Sequence, residues 1–216
     1  MTQNNADHLR TRLKQARKTM PVADRQRASL LLRARLFTWL ATTRSACQEA
    51  GVDAPSVIAG FWPLADEPDL IALYRQWHDS GLTVALPVMQ PDDQTLEFHR
   101  WQPDKDLVQA AFRVLEPPAT NPVHPDVVLV PTLGFTPSAD RLGYGKGFYD
   151  RTLARLNTQN RHLTTIGVAW DNGNLHDWDP DYRAADHDHP LDAIITPTTW
   201  YPAIPGWPGK SLARNH

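Results

Sequence analysis

Glycines alternate with other residues in one short segment of the chain, with a spacing that suits phosphate binding. Gly143, Gly145 and Gly147 follow an apolar run and precede a segment with helical character. Glycines let the backbone approach a ligand closely, and the free N–H groups at the start of a helix point at an anion. Lys146 adds a point charge, and Arg141 adds a guanidinium that can donate hydrogen bonds to two oxygens at once. The segment therefore predicts the phosphate-binding loop of a nucleotide-using enzyme.

The residue that follows this loop by three positions, Asp150, falls in the first turn of the predicted helix. A carboxylate there is favoured by the helix dipole. Beside bound phosphates it could instead hold Mg²⁺, which takes one or two carboxylates together with phosphate oxygens. The alternative is a plain turn with glycines in left-handed conformations and Asp150 as a helix cap. The spacing matches neither G-x-G-x-x-G nor G-x-x-x-x-G-K-[ST], so those two motifs are set aside.

Strands and helices that could position this loop alternate along the chain. Helical periodicity predicts a basic first helix over about 7–19 and a second helix from Asp24 that buries one face, together with helices over 68–80 and 148–156. The buried face of the second helix is expected to carry Ala28, Leu31, Leu32, Leu36, Trp39 and Leu40. Short apolar runs predict strands over 56–62, 83–88, 126–131, 165–170 and 191–196, and an edge strand over 96–101.

This alternation indicates an α/β fold, with three α/β/α layers around a mostly parallel central sheet, similar to a Rossmann fold. We expect a single domain over 1–216, with a helical N-terminal segment over about 7–47. The last residues, about 199–216, are rich in Pro and Trp and are expected to form a surface tail.

Composition narrows the function classes. The formal net charge is −2, which gives no general basic surface for nucleic acid, although basic residues crowd the first helices. Cys47 is the only cysteine, so no internal disulfide can form, as expected in a reducing cytoplasm. No apolar run approaches the ~20 residues that span a bilayer, and the N-terminus lacks an apolar signal core. We therefore expect a cytoplasmic protein with no nucleic-acid and no membrane partner, either a monomer or a weak homodimer.

The block from Arg141 to Asp150, placed after Val130-Pro131-Thr132-Leu133-Gly134-Phe135, resembles the signature of the 5-formyltetrahydrofolate cyclo-ligase family. Companion segments resemble the same family in the same order and extend the resemblance over about 9–198. They are the basic helix from Leu9-Arg10 to Met20, the segment Phe61 to Asp69 with Asp66-Glu67, the element Leu115-Glu116-Pro117, and His187-Asp188-His189-Pro190-Leu191-Asp192 leading into Ile194-Ile195-Thr196.

The resemblance implies a ligase that uses ATP and Mg²⁺ to close 5-formyltetrahydrofolate into 5,10-methenyltetrahydrofolate, an activity of one-carbon metabolism. It implies catalytic roles for Lys146, Arg141 and Tyr149 and metal ligation by Asp150 and Asp188. ATP would be bound by Arg10, Arg141, Gly143, Gly145, Lys146, Gly147, Phe148 and Tyr149. The folate would be bound by Trp62, Glu67, Tyr144 and Phe148, with Glu67 accepting from the amino and N–H edge of the pterin and the aromatic rings stacking on it.

Several alternatives stay open on the sequence. The cluster Asp186-His187-Asp188-His189 could suggest zinc, Glu67 could be an ordinary first-turn acid, Trp62 could be a core residue, and Arg10 could lie on a solvated face. Ala6 stands where the family usually carries a Lys, and no Gln follows the fifth strand region, where Asn172-Gly173-Asn174 lie. The competing functions are an ATP-dependent enzyme with a different small acceptor and a non-catalytic nucleotide-binding module.

Overall fold

The computed structural model describes residues 3–111, 114–159, 163–184 and 190–207. Within these residues the main sheet has seven strands: β1 (Val57–Ala59), β2 (Thr83–Gln90), β3 (Thr95–Arg100), β6 (Val127–Pro131), β9 (Thr164–Val168), β10 (Ala193–Ile195) and β11 (Trp200–Tyr201). Their order across the sheet is β11-β10-β9-β6-β1-β2-β3. The five inner strands, from β10 to β2, run parallel, and β3 and β11 pair antiparallel at the two edges. The predicted mostly parallel sheet is confirmed.

Two short antiparallel pairs lie outside the main sheet. Strand β4 (Val108–Gln109) pairs with β5 (Leu115–Glu116), and β7 (Gly134–Phe135) pairs with β8 (Arg141–Leu142). The second pair matters for function because β7 follows the central strand β6 closely, and β8 leads directly into the glycine loop. The loop is thereby held above the carboxyl end of the sheet.

The helices cover both faces of the sheet, as the alternating pattern predicts. Helices α2 (Val22–Ala50) and α3 (Ile71–Asp79) pack on one face, where Leu36 and Trp77 join a core with strand residues such as Val127. Helix α4 (Phe148–Gln159) packs on the other face through Leu153 and Leu156. No helix in the described part of the chain is long and apolar enough to cross a membrane.

Helix α1 (Gln3–Thr19) packs on neither face of the sheet but across the carboxyl ends of its strands. Leu9 and Leu13 are buried against Leu133, just beyond β6, and Leu175, beyond β9. Arg10 and Lys14 each follow one of these buried leucines by one position and line the cavity beside the glycine loop. The hydrophobic contacts of α1 thus place these two basic side chains at the loop.

Three expectations from the sequence differ from the structure. Leu31 is 45% exposed because it lies off the buried stripe of α2 that carries Leu32 and Leu36. The strand predicted over 56–62 is reduced to β1, because the chain leaves the sheet after Ala59. The expectation of a surface tail is wrong at its start, since Trp200 is buried in β11 against Trp39, whose indole N–H donates to the Pro205 carbonyl at 2.9 Å.

Gly60, at the end of β1, sits against the ring of Tyr74 with no room for a side chain. A Cβ there would lie 2.4 Å from the Tyr74 hydroxyl oxygen and 2.5 Å from Cζ. We expect Gly60→Ala to lower the free energy of unfolding by ~1–3 kcal/mol, the usual cost of overpacking a core. Urea unfolding measures this. Gly206→Ala is the control, since its Cβ would meet nothing within 4 Å; equal stability of the two variants would contradict the packing argument.

Candidate active site

The glycine loop between β8 and α4 has a backbone shape that requires glycine at two positions. Gly145 has φ 88° and Gly147 has φ 71°, both in the left-handed region that side chains disfavour. A Cβ on Gly147 would also lie 2.6 Å from Nη1 of Arg151. The alternation seen in the sequence therefore reflects a turn that leads straight into the first turn of α4, with the loop's backbone exposed to a cavity.

A cavity of about 380 Å³ opens beside this loop, and it collects almost the whole predicted site. The predicted phosphate-side residues at its wall are Arg10, Arg141, Gly143, Gly145, Lys146, Gly147, Tyr149 and Asp150. The predicted folate-side residues at its wall are Trp62, Glu67, Tyr144 and Phe148. Asp188 and the neighbouring His187 and His189 lie outside the described residues. Segments far apart in sequence thus converge on one space, which a plain surface turn would not require.

Arg10 reaches the glycine loop from helix α1. Its Nε donates to the Gly143 carbonyl at 3.0 Å, and its Nη1 pairs with Asp7 at 2.6 Å. Its guanidinium also lies over Gly145, where a Cβ would come within 3.2 Å of Cζ. The guanidinium therefore braces the loop and presents positive charge to the cavity. The solvated-face alternative does not fit this contact.

Arg141 and Asp150 form an ion pair at the base of the loop, and the Arg141 residue is only 6% exposed. The pair joins β8 to the first turn of α4, so it fixes the ends of the loop. Arg141 Nε is buried and has no hydrogen-bond partner among the described residues. Because buried polar groups are normally satisfied, this N–H is available to an acceptor that enters the cavity.

Tyr149 offers a second donor of this kind. Its hydroxyl is buried and has no hydrogen-bond partner among the described residues. Burial raises the pKa of Tyr149 above its ordinary value, and nearby Tyr74 and Glu67 raise it further. The hydroxyl consequently stays protonated near neutral pH and is able to donate to an anion.

Lys146 stands exposed at the tip of the loop, and its backbone is anchored. Arg151 Nη2 donates to the Lys146 carbonyl at 2.9 Å, while Arg151 Nε donates to the Gln94 carbonyl at 3.0 Å. The guanidinium of Arg151 also lies 5.6 Å from the centre of the Phe148 ring. One arginine on α4 thus ties the loop to the turn before β3. Sequence reasoning gave Arg151 no role.

A buried acid lines the same cavity. Glu67 is 7% exposed; its Oε2 accepts from the Leu64 N–H at 2.9 Å and its Oε1 accepts from the Tyr144 hydroxyl. Burial raises the pKa of Glu67, and the two hydrogen bonds and Arg17 partly oppose this. Nearby, Trp62 is half-buried with its ring 6.4 Å from that of Trp101. These surroundings suit a flat, polar ligand with hydrogen-bond donors at one edge.

Sequence reasoning missed other residues that belong to this region. Lys14 lines the cavity with Nζ 5.4 Å from the centre of the Tyr144 ring, and Arg17 donates to the Tyr144 hydroxyl. Arg10, Lys14 and Arg17 are spaced by four and three residues, which places them on one face of α1. That spacing was a usable signal, although the number of basic residues in the first helices obscured it.

Glu116 is a second buried acid at the cavity wall. It is 7% exposed, and its Oε1 accepts from the Met89 N–H at 3.2 Å. Burial raises the pKa of this carboxyl, and nearby His99 opposes the rise. Sequence reasoning identified the element Leu115-Glu116-Pro117 but assigned no role to its acid. The short β4–β5 pair brings this acid to the site.

The described residues fit a phosphate-bound Mg²⁺ better than an all-protein metal centre. They contain no cluster of three or more His, Cys, Asp or Glu side chains able to hold a metal. Mg²⁺ on a triphosphate requires only one or two carboxylates, with phosphate oxygens and waters completing its shell. Asp150 meets this requirement at the cavity wall. The zinc alternative concerns residues outside the described ranges.

Comparisons with known proteins show the family of this chain. Residues 2–197 match the model of the 5-formyltetrahydrofolate cyclo-ligase family. A 5-formyltetrahydrofolate cyclo-ligase of Mycolicibacterium smegmatis is 34% identical over 162 residues, covering 71% of this chain and 77% of the relative. One of Escherichia coli is 32% identical over 147 residues, covering 65% and 78% respectively.

Solved structures share the fold at lower sequence identity. The NMR structure of the 5,10-methenyltetrahydrofolate synthetase of Aquifex aeolicus has a TM-score of 0.68 at 22% identity and covers 91% of both chains. The synthetase of Mycoplasma pneumoniae has a TM-score of 0.66 at 22% identity, covering 89% of this chain and 98% of that one. These likenesses confirm the predicted α/β architecture.

Proposed function

Because this chain belongs to the 5-formyltetrahydrofolate cyclo-ligase family, we propose that it is an ATP-dependent ligase that converts 5-formyltetrahydrofolate to 5,10-methenyltetrahydrofolate, ADP and phosphate. The observation that carries the proposal is the shared cavity. It combines a glycine loop with four cationic side chains, Arg10, Lys14, Arg141 and Lys146, and with two buried carboxylates among aromatic rings. A phosphate donor and a pterin therefore find complementary groups within one space.

The chemistry requires activation of a poor leaving group. The formyl oxygen attacks the γ-phosphorus of ATP, an O–P bond forms, and the bond to the leaving ADP breaks. N10 of the folate then attacks the formyl carbon, the C–O bond breaks with release of phosphate, and N10 loses its proton. Alignment of the reacting atoms and neutralisation of charge on the transferring group supply most of the catalysis in such a reaction.

The phosphate side of the cavity suits the first step. Lys146 would supply positive charge at the loop tip, and the backbone N–H groups of the glycine loop would donate to the anion. Arg141 Nε and the Tyr149 hydroxyl are buried donors in need of acceptors, and phosphate oxygens provide them. Arg10 adds charge from helix α1. These groups would hold ATP and stabilise the charge that develops on its γ-phosphoryl group.

Asp150 and Asp188 are the residues that we propose to hold Mg²⁺. When bound, Mg²⁺ neutralises charge on the phosphate oxygens. Asp150 is attached to the loop through its ion pair with Arg141, so a metal at this carboxylate would lie beside the phosphates.

The folate side would position the formyl group. Glu67 would accept hydrogen bonds from the amino and N–H edge of the pterin, since both oxygens of a carboxylate accept. Trp62, Tyr144 and Phe148 would cover the faces of the ring. A pterin held at this edge leaves its formyl-bearing side free to point toward the phosphate loop.

The test is an absorbance assay with purified protein, 5-formyltetrahydrofolate and MgATP, which follows the band of the methenyl product. We expect product only when the protein, ATP and Mg²⁺ are all present. ATP supplies the phosphoryl group, Mg²⁺ neutralises charge on its oxygens, and the protein aligns the reacting groups. ADP should appear in a 1:1 ratio with product. A folded protein that binds ATP and makes no methenyl product would refute the proposed acceptor and favour another small formylated or carboxyl-bearing compound.

A further inference from the structure

A buried arginine of helix α1 is linked to the acid of the cavity through one tyrosine. Arg17 is 2% exposed, and its Nη1 donates to the Tyr144 hydroxyl at 2.9 Å. The same hydroxyl donates to Oε1 of Glu67. The chain of hydrogen bonds spans three segments that are remote in sequence. Arg17 therefore acts on the cavity without lining it.

Arg17 sets the direction of the hydrogen bonds that run from it through Tyr144 to Glu67. A guanidinium has donors only, so the Tyr144 oxygen must accept from Arg17. The single proton of the hydroxyl is then directed to Glu67. The other oxygen of Glu67 accepts from the Leu64 N–H at 2.9 Å. Both carboxyl oxygens are thus engaged as acceptors, which suits an ionised carboxylate because it has acceptors only.

Arg17 is itself held in place by the end of the central strand. Its Nη2 donates to the carbonyls of Thr132 and Leu133, the latter at 3.1 Å. The guanidinium therefore cannot swing away from Tyr144 without losing these bonds. Since a buried charge without partners is costly, the position of Arg17 is strongly fixed.

We propose that Arg17 and the Tyr144 hydroxyl are positioning groups that hold Glu67 as an oriented, ionised acceptor, so that the cavity selects a heterocycle presenting two adjacent N–H donors. This inference rests on the proposed function, because it assigns the pterin edge to Glu67. The remaining lone pairs of the carboxylate are those left for the ligand. A ring with a carbonyl or an unprotonated nitrogen at that edge would place an acceptor against the acceptor oxygens of Glu67. Such a ring would be rejected.

The groups that surround Glu67 determine how its pKa responds to loss of the Tyr144 hydroxyl. Burial and the adjacent Asp66 raise the pKa of Glu67, while the Leu64 N–H, the Tyr144 hydroxyl and Arg17 lower it. Tyr74 and Tyr149 also interact electrostatically with Glu67. Removal of the Tyr144 hydroxyl takes away one opposing interaction, so the pKa of Glu67 must rise further.

The variant that tests the proposal is Tyr144→Phe, which deletes one oxygen and keeps the ring. Hydrogen bonds to charged groups contribute enough that we expect KM for the folate to rise roughly tenfold or more, with kcat and KM for ATP within about twofold of the parent. The acid limb of kcat/KM for the folate should move to higher pH, because Glu67 must be ionised to accept. Tyr201→Phe is the matched control, as Tyr201 packs against Phe135 and does not line the cavity.

A second measurement separates this inference from the proposed function. The carboxyl of Glu67 is followed by ¹³C NMR in the free protein, assigned with Glu67→Gln, and titrated in the parent and in Tyr144→Phe. A higher titration midpoint in the variant supports the positioning role without any folate present. An unchanged midpoint would overturn it, even if the folate assay succeeds.

Glu67→Gln completes the separation. If Glu67 receives the pterin, this variant loses folate affinity, and adding Tyr144→Phe to it causes little further loss, because the hydroxyl acts through the carboxylate. Full additivity of the two changes would overturn the proposal. Normal folate affinity in Glu67→Gln would instead remove the pterin from Glu67, and the NMR titration would still report on the hydrogen-bond chain.

Discussion

Asp150→Asn is expected to lower kcat by about a thousandfold, because removal of a group that stabilises the transferring phosphoryl has effects of that order. The substitution keeps the size and the hydrogen-bonding shape of the side chain but removes the charge that would hold Mg²⁺. The concentration of Mg²⁺ needed for half-maximal rate should rise at the same time. Steady-state rates over a Mg²⁺ series measure both effects.

The control for this variant is Asp24→Asn. Asp24 is also in the first turn of a helix and also pairs with an arginine, Arg27 at 3.7 Å, but it does not line the cavity. It should retain the parent rate and Mg²⁺ dependence. The ion pair of Asp150 with Arg141 raises a competing explanation, a purely structural loss. That explanation predicts a lower rate with an unchanged Mg²⁺ requirement, and such a result would remove Asp150 from the proposed metal site.

The glycine loop at the cavity wall could be located from the sequence because its signal is local. Gly145 and Gly147 need left-handed backbone, and Lys146 lies between them, so spacing alone exposes the loop. The signal for the neighbouring strand β6 is equally local. Val127 to Val130 are all apolar and buried, as expected for a strand of a sheet that is covered on both faces. Order along the chain then indicated which further segments belong with the loop.

The residues that act at a distance could not be predicted in this way. Arg17 contacts Thr132 and Tyr144, which are 115 and 127 positions away, and nothing in a run of basic residues says which one is buried. The Pro and Gly residues around Trp200 predict a surface tail, but its ring packs on Trp39 and the segment completes the sheet. In both cases tertiary packing overrides the local composition.

The second large effect is expected at the loop tip. Lys146→Ala should lower kcat/KM for ATP by roughly a hundredfold or more, because the variant loses a positive charge that we propose lies beside the transferring phosphoryl. The dissociation constant for the folate should stay within about twofold, since Glu67 and Trp62, the groups proposed for the pterin, belong to other segments. Steady-state kinetics with ATP varied and folate binding measured without ATP give the two quantities.

Measuring both kcat/KM for ATP and the dissociation constant for the folate distinguishes a role of Lys146 at the phosphate from a general loss of the site. Lys105→Ala removes an exposed lysine that pairs loosely with Asp104 and does not line the cavity, so it should change neither quantity. The backbone of Lys146 is held by Arg151 through its carbonyl, which the substitution keeps, so the loop should retain its shape. An equal loss of ATP use and folate affinity would mean that the variant collapses the loop or that Lys146 serves the folate. Either meaning contradicts the division of the cavity into a phosphate side and a folate side.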